Sequence, residues 1–139
     1  MLNAFTQKLN LPVEEFTTPD PITADENASV DALLEIMTQY NVRHIPIMKD
    51  GVATGIISQR DLKVIQGLKD EHKNLIKASD IMAKNPVTVS CSETLDEVAF
   101  TMSQEKIGSV LVNDDNGLLG IFTVTDALNA LIEVIRSAR

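Results

Sequence analysis

A chain that repeats itself is constrained more by the repeat than by its composition, because neither copy can choose a fold the other cannot adopt. Here the stretch Gly55-Ile56-Ile57-Ser58-Gln59-Arg60-Asp61 returns 65 positions later as Gly120-Ile121-Phe122-Thr123-Val124-Thr125-Asp126. The same shift, without a gap, sets Pro21 on Pro86, Thr23 on Thr88, Asp31 on Asp96, Met37 on Met102 and Asp50 on Asp115. Apolar positions match in kind, as in Val42 with Ile107 and Ile45 with Val110. A unit of about 60 residues is marginal for an independent core, so the two copies are expected to pack on one another. The expected division is 1–72, an N-terminal segment plus the first repeat, and 73–139, the second repeat.

Each copy reads as β-α-β-β-α, an α+β fold of two repeats packed as a pseudo-two-fold pair. An extended piece, Pro21–Ala24 or Pro86–Val89, precedes a helix. Val30, Leu33, Leu34 and Met37 fall on one helical face, and Leu95, Val98, Ala99 and Met102 repeat that stripe. Thr94 to Glu97 reads as a capping box for the second of these helices. Two strands joined at Asp50-Gly51 or Asn116-Gly117 make a hairpin. Pro46 inside the first of these strands cannot donate a ladder bond, so that strand is expected at a sheet edge or beside a ligand cleft. A second helix carries Leu62, Ile65 and Leu68 in one copy and Leu128, Leu131, Ile132 and Ile135 in the other. The charged joining segment 69–84 is expected to extend the helix before a short turn, and Phe5, Leu9 and Leu11 suggest a short covering helix at the start.

The repeated heptad marks where a strand runs into a helix. Gly55 and Gly120 allow a backbone or a ligand to come close. Ser58 and Thr123 stand at the N-cap, with Asp61 and Asp126 three residues on. Two readings stand side by side. In one, helix-end N–H groups and a hydroxyl meet an anion such as phosphate, while the carboxylate accepts from two sugar hydroxyls. In the other, hydroxyl and acid form a capping box, with Asp in place of the usual Glu or Gln.

Charge and composition exclude several classes. The net charge of −8 is shared evenly, with nine acids and five bases in residues 1–65 and eleven acids and seven bases in 66–139. No basic face and no Trp speak for nucleic acid. No apolar run reaches membrane-span length, and Met1–Asn10 lacks a signal-peptide pattern. The single Cys91 can form no internal disulfide, which fits a reducing, cytoplasmic compartment. Neither a metal-ligand cluster nor a base–nucleophile pair is evident, and His72 among charged neighbours reads as solvated.

Taken together, the doubled Gly-apolar-x-[Ser/Thr]-x-x-Asp motif, Asn41-Val42-Arg43-His44-Ile45-Pro46-Ile47, and Ile81-Met82-Ala83-Lys84-Asn85-Pro86-Val87-Thr88-Val89 resemble a tandem pair of CBS domains, a Bateman module, from about Phe16 to the C-terminus. The resemblance implies clefts between the repeats that hold an adenosine-type ligand: AMP, ADP or ATP, with S-adenosylmethionine or NAD as alternatives. It implies that Asp61 and Asp126 accept from ribose, that Ser58 and Thr123 help bind phosphate, and that Ile22, Thr23, Ile45, Val87, Thr88 and Val110 line the base. Many such pairs dimerise and regulate an attached enzyme or channel, which is not expected on this chain. The expected function is a ligand-sensing regulatory module, a homodimer with an unidentified regulated protein, and not an enzyme. The alternative is a dimerisation or partner-docking unit with no ligand.

The two sites are not expected to be equal. Arg60 and Lys63 on the first helix turns, with Arg43 and His44 on the other wall, would favour more phosphate at the first site, which Pro46 also lines. The second offers Thr125 and Leu128, with Gly108 and Ser109 on the wall.

Overall fold

The computed structural model describes residues 10–139. In chain order it has a 3₁₀ turn (Val13–Phe16), β1 (Thr18–Pro19), β2 (Ala24–Asp25), α1 (Val30–Tyr40), β3 (His44–Lys49), β4 (Val52–Ser58) and α2 (Gln59–Gln66). Then follow α3 (Asp70–Lys73), α4 (Ala78–Ile81), β5 (Ala83–Lys84), β6 (Thr88–Ser90), α5 (Leu95–Glu105), β7 (Ser109–Asp114), β8 (Gly117–Thr123) and α6 (Val124–Ser137). The α+β class and the doubled order of elements are as expected. Phe5 and Leu9, read as part of a covering helix, lie outside the described residues.

Two four-stranded sheets result, ordered β2-β3-β4-β5 and β1-β8-β7-β6. Each has a parallel pair, an antiparallel hairpin and a two-residue outer strand. The outer strands arrive crosswise. β5, which leads into the second repeat, pairs with β4 of the first, setting Gly55 opposite Lys84 and Ile56 opposite Ala83. β1, which leads into the first repeat, pairs with β8 of the second, setting Gly120 opposite Pro19 and Ile121 opposite Thr18. The compact units are therefore Pro21–Pro86 on one side and Val87–Arg139 with the described residues before Pro21 on the other. Left-handed residues sit at both crossings, Asp20 (φ 50°) and Asn85 (φ 52°), each followed by a proline.

The core of Pro21–Pro86 gathers Val30, Leu33 and Met37 of α1, Ile45 and Ile47 of β3, Ile57, Leu62 and Ala78. The core of the other unit gathers Val89, Val98, Met102, Val110, Val112 and Phe122 around Val13, which the N-terminal segment contributes fully buried. Both helix stripes thus pack as expected. Ser29 caps α1 by accepting from Ala32 N–H, and Asn41 ends it in the left-handed conformation at φ 51°. Thr94 begins α5 without a side-chain cap, so the capping box expected from Thr94 to Glu97 is not formed, and Leu95 N–H donates to Leu11 carbonyl oxygen at 2.8 Å. The joining segment does not extend α2: the chain stops at Gly67 and forms two short helices, α3 and α4, with Leu68 beyond the helix end.

The two hairpins turn differently. Asp50 and Gly51 both have positive φ, 52° and 80°, the mirror-image turn that suits twisted strands. In the second hairpin the turn lies one residue earlier than the Asn-Gly pair suggests. Asp114 pairs with Gly117, Asp115 and Asn116 form the loop, and Gly117 (φ 116°) opens β8.

Candidate functional site

Both helices that follow the hairpins begin with the same closed ring of hydrogen bonds. In the first repeat Ser58 N–H donates to Asp61 Oδ2 at 2.9 Å, Ser58 hydroxyl donates to the same oxygen at 2.9 Å, and Asp61 N–H donates to Ser58 Oγ at 3.2 Å. In the second the Thr123 and Asp126 distances are 2.8, 3.0 and 3.2 Å. The capping reading is therefore realised in both copies. Asp serves as well as Glu because the N-cap N–H lies close enough for the shorter side chain.

A filled cap changes what the helix end can offer. Gln59 N–H donates to Arg43 carbonyl oxygen at 2.7 Å, and Val124 N–H to that of Gly108 at 3.1 Å. Of the helix-end donors, that leaves the N–H groups of Arg60 and Thr125 without a partner among the described residues. The hydroxyl protons of Ser58 and Thr123 point at carboxylates, so neither reaches a phosphate while the cap stays closed. With the cap closed, one backbone donor at each helix end is left for an anion among the described residues. Asp61 keeps an opening: Oδ2 closes the ring, and Oδ1 accepts nothing from the described residues. Asp61 and Asp126 are both half-buried.

The glycines of the motif answer to the chain itself. A Cβ on Gly120 would overlap Thr18 carbonyl oxygen and the Thr17 methyl group. One on Gly55 would strike Met82. Close approach was expected at both positions, and the crossing outer segments are what come close.

Of the two places expected for the strand that carries Pro46, the sheet edge is not the one it takes. β3 is an inner strand, with β2 on one side and β4 on the other. The proline is accommodated because β2 covers only Ile47 and Met48. At the matching place in the second repeat Leu111 N–H donates to Val87 carbonyl oxygen at 2.9 Å, and β6 begins one residue earlier in the repeat, at Thr88. Pro46 has no N–H to give Ile22, so β2 begins only at Ala24. Ile45, Pro46 and Val110 are buried, Ile22, His44, Val87 and Ser109 half-buried, and Thr23 and Thr88 exposed.

Arg43 and Arg60 are exposed, and Thr125 likewise. Lys63 lines a groove of about 310 Å³ between α1 and α2 with Leu34, Met37 and Gln59. A second, open hollow of about 490 Å³ carries Ser90, Cys91, Asn113 and Asp114. Neither concavity holds a capping acid. Partial burial, then Glu14, Asp114 and Asp115, push the Cys91 thiol above its ordinary value, which keeps it protonated. His72 is exposed, 3.9 Å from its neighbour Glu71.

Sequence reasoning missed Thr18. Its hydroxyl donates to Asp126 Oδ1 at 3.5 Å, a long bond across the β1–β8 pairing. The repeat itself held the signal, since Thr18 aligns with Ala83, but nothing local says which sheet β1 joins.

The family model for the CBS domain matches residues 13–65 and 78–133. L-aspartate semialdehyde sulfurtransferase of Methanocaldococcus jannaschii is 33% identical over 116 residues, a match that covers 82% of this chain and 22% of that protein. A CBS domain-containing protein of Dictyostelium discoideum is 29% identical over 134 residues, covering 88% of this chain and 92% of that one. The chain thus spans about a fifth of the first relative and most of the second. Among solved structures, a CBS domain pair in complex with 5′-methylthioadenosine and S-adenosyl-L-methionine is similar at TM-score 0.76 and 30% identity, over 87% of this chain and 95% of that one. CBSX2 in complex with AMP is similar at TM-score 0.74 and 26% identity, over 88% and 97%. Among the described residues no helix is long and apolar enough to cross a membrane.

Proposed function

The chain belongs to the CBS domain family, and we propose from that premise that it is a ligand-sensing regulatory module whose two capping acids receive the ribose of an adenosine-type ligand. The carrying observation is Asp61, which closes its cap with Oδ2 and holds Oδ1 open, half-buried, at the start of α2. A carboxylate in this state takes a sugar hydroxyl without giving up the cap, so capping and binding are compatible roles. Two similar solved structures carry 5′-methylthioadenosine with S-adenosyl-L-methionine, and AMP, which supports the ligand class. We read Ile22, Thr23, Ile45, Val87, Thr88 and Val110 as lining the base, and AMP, ADP or ATP as the ligand.

Arg43 and Arg60, both exposed, would favour extra phosphate at the first motif, where the second has Gly108 and Thr125. We assign no catalytic role. The match to the sulfurtransferase covers 22% of that enzyme, and a thiol held protonated is a poor nucleophile. Reduced Cys91 fits a cytoplasmic setting.

The deciding experiment is calorimetric titration with adenosine, AMP and ATP. Binding that Asp61→Ala weakens supports the reading, as does a larger loss for ATP than for adenosine with Arg60→Ala. No binding across the panel defeats it. A second reading, a dimerisation or docking unit without ligand, is favoured by α6. Val124, Leu128, Leu131, Ile132 and Ile135 lie on one stripe of it and are 45–55% exposed. We take a second copy of the chain as the cover for that stripe. Sedimentation equilibrium giving a 15.2 kDa species at micromolar concentration would oppose it.

A further inference from the structure

We propose that Thr18 is a specificity-setting residue that occupies the open oxygen of Asp126, so that the two ribose acceptors are unequal and the first repeat binds ahead of the second. The inference rests on the nucleotide-binding reading above and deepens it. Positions 18 and 83 are equivalent by the 65-residue shift and by register, since Thr18 lies opposite Ile121 and Ala83 opposite Ile56. Each of those partners stands two residues before its N-cap, on the same strand face as the cap.

At this shared place the side chains differ by a hydroxyl and a methyl group. Asp126 therefore receives three donors, Thr123 N–H, Thr123 hydroxyl and Thr18 hydroxyl. Asp61 receives two, both on Oδ2. A ribose hydroxyl reaching Asp61 Oδ1 meets an acceptor that no described residue engages. One reaching Asp126 Oδ1 must share it with Thr18 Oγ1 or push that group aside. The bond is long at 3.5 Å, so the expected penalty is that of a weak neutral hydrogen bond to a charged group, about two- to fivefold in affinity. Thr18 and Ala83 are both exposed, so exchanging their side chains leaves the cores untouched.

The test is calorimetric titration with AMP of variants that isolate one acceptor at a time. In an Asp61→Ala background, Thr18→Ala should tighten AMP by about two- to fivefold. In an Asp126→Ala background, Ala83→Thr should weaken it by a similar factor. Unchanged affinity in both pairs, while the aspartate substitutions themselves weaken binding, overturns this proposal and leaves the nucleotide reading standing. Weaker binding with Thr18→Ala also overturns it, because the hydroxyl would then be a ligand contact. If neither aspartate substitution affects AMP, the reading beneath it fails as well. Thermal melts of every variant show whether the fold is intact.

Discussion

Gly120 and Thr18 meet so closely that the carbonyl oxygen of Thr18 stands where a β-carbon on residue 120 would go. Gly55 makes the matching approach to Met82, but there the obstacle is a flexible side chain. Backbone held in a strand pairing cannot step aside, whereas a rotamer change carries Met82 Sδ and Cγ away and leaves only its Cβ, 2.9 Å from the added carbon, to shift. Gly120→Ala should therefore cost about 3 kcal/mol or more and Gly55→Ala less, about 1–2 kcal/mol. Thermal or urea unfolding of the two variants gives the comparison, and equal losses would contradict it.

Asp61→Asn separates the two roles of that carboxylate. An amide can keep its oxygen on the Ser58 N–H and hold the cap, but its NH₂ group then replaces Oδ1 and cannot accept from a sugar hydroxyl. Stability should change by less than about 0.5 kcal/mol, while AMP binding falls about tenfold or more. Asp61→Ala should lose both, with about 1 kcal/mol of stability gone. Melts and titrations on the same samples decide it.

Pro46 leaves a rung missing from the β2–β3 ladder that Leu111 supplies in the second sheet. Pro46→Ala restores an N–H facing Ile22. The new amide should exchange with solvent as slowly as that of Leu111, and stability should stay within about 1 kcal/mol, since the added bond offsets the lost rigidity of the unfolded chain. Fast exchange at position 46 would mean that Ile22 does not lie in line with β3.

Cys91 offers a pH test. Its folded-state value is raised, so any stability it contributes is present at low pH and is lost as pH climbs through the folded value. At pH 8 a disulfide reagent should modify the folded chain more slowly than the chain in urea, and the gap should narrow as pH rises. Glu14→Gln should speed the folded reaction, because Glu14 both repels the thiolate and hydrogen-bonds the thiol. Equal rates at pH 8 would show a freely ionising thiol.

Local pattern carried the hairpins, the helix stripes and the two capped helix starts, since each is decided by neighbours within a few residues. Partner choice between distant segments was not readable that way. β1 and β5 are two-residue strands with no alternation of their own, and only the folded register shows that each joins the sheet of the other repeat. That topology hid Thr18 as a neighbour of Asp126 and closes the first compact unit at Pro86. The cap acids were readable as residues, yet their state was not. Only distances distinguish a carboxylate with one oxygen engaged from one with both.

The crossing of β1 has a consequence for the order in which the protein is made. Thr18 and its partner Asp126 are 108 positions apart, so at ribosomal rates of about 5–20 residues per second the N-terminal segment waits roughly 5 to 20 s for its sheet to exist. Residues Pro21–Pro86 are contiguous and can close as soon as they emerge. The core that holds Val13 includes Phe122 of β8, so that core is complete only once β8 has been synthesised, and a segment made early is among the last to be fully covered.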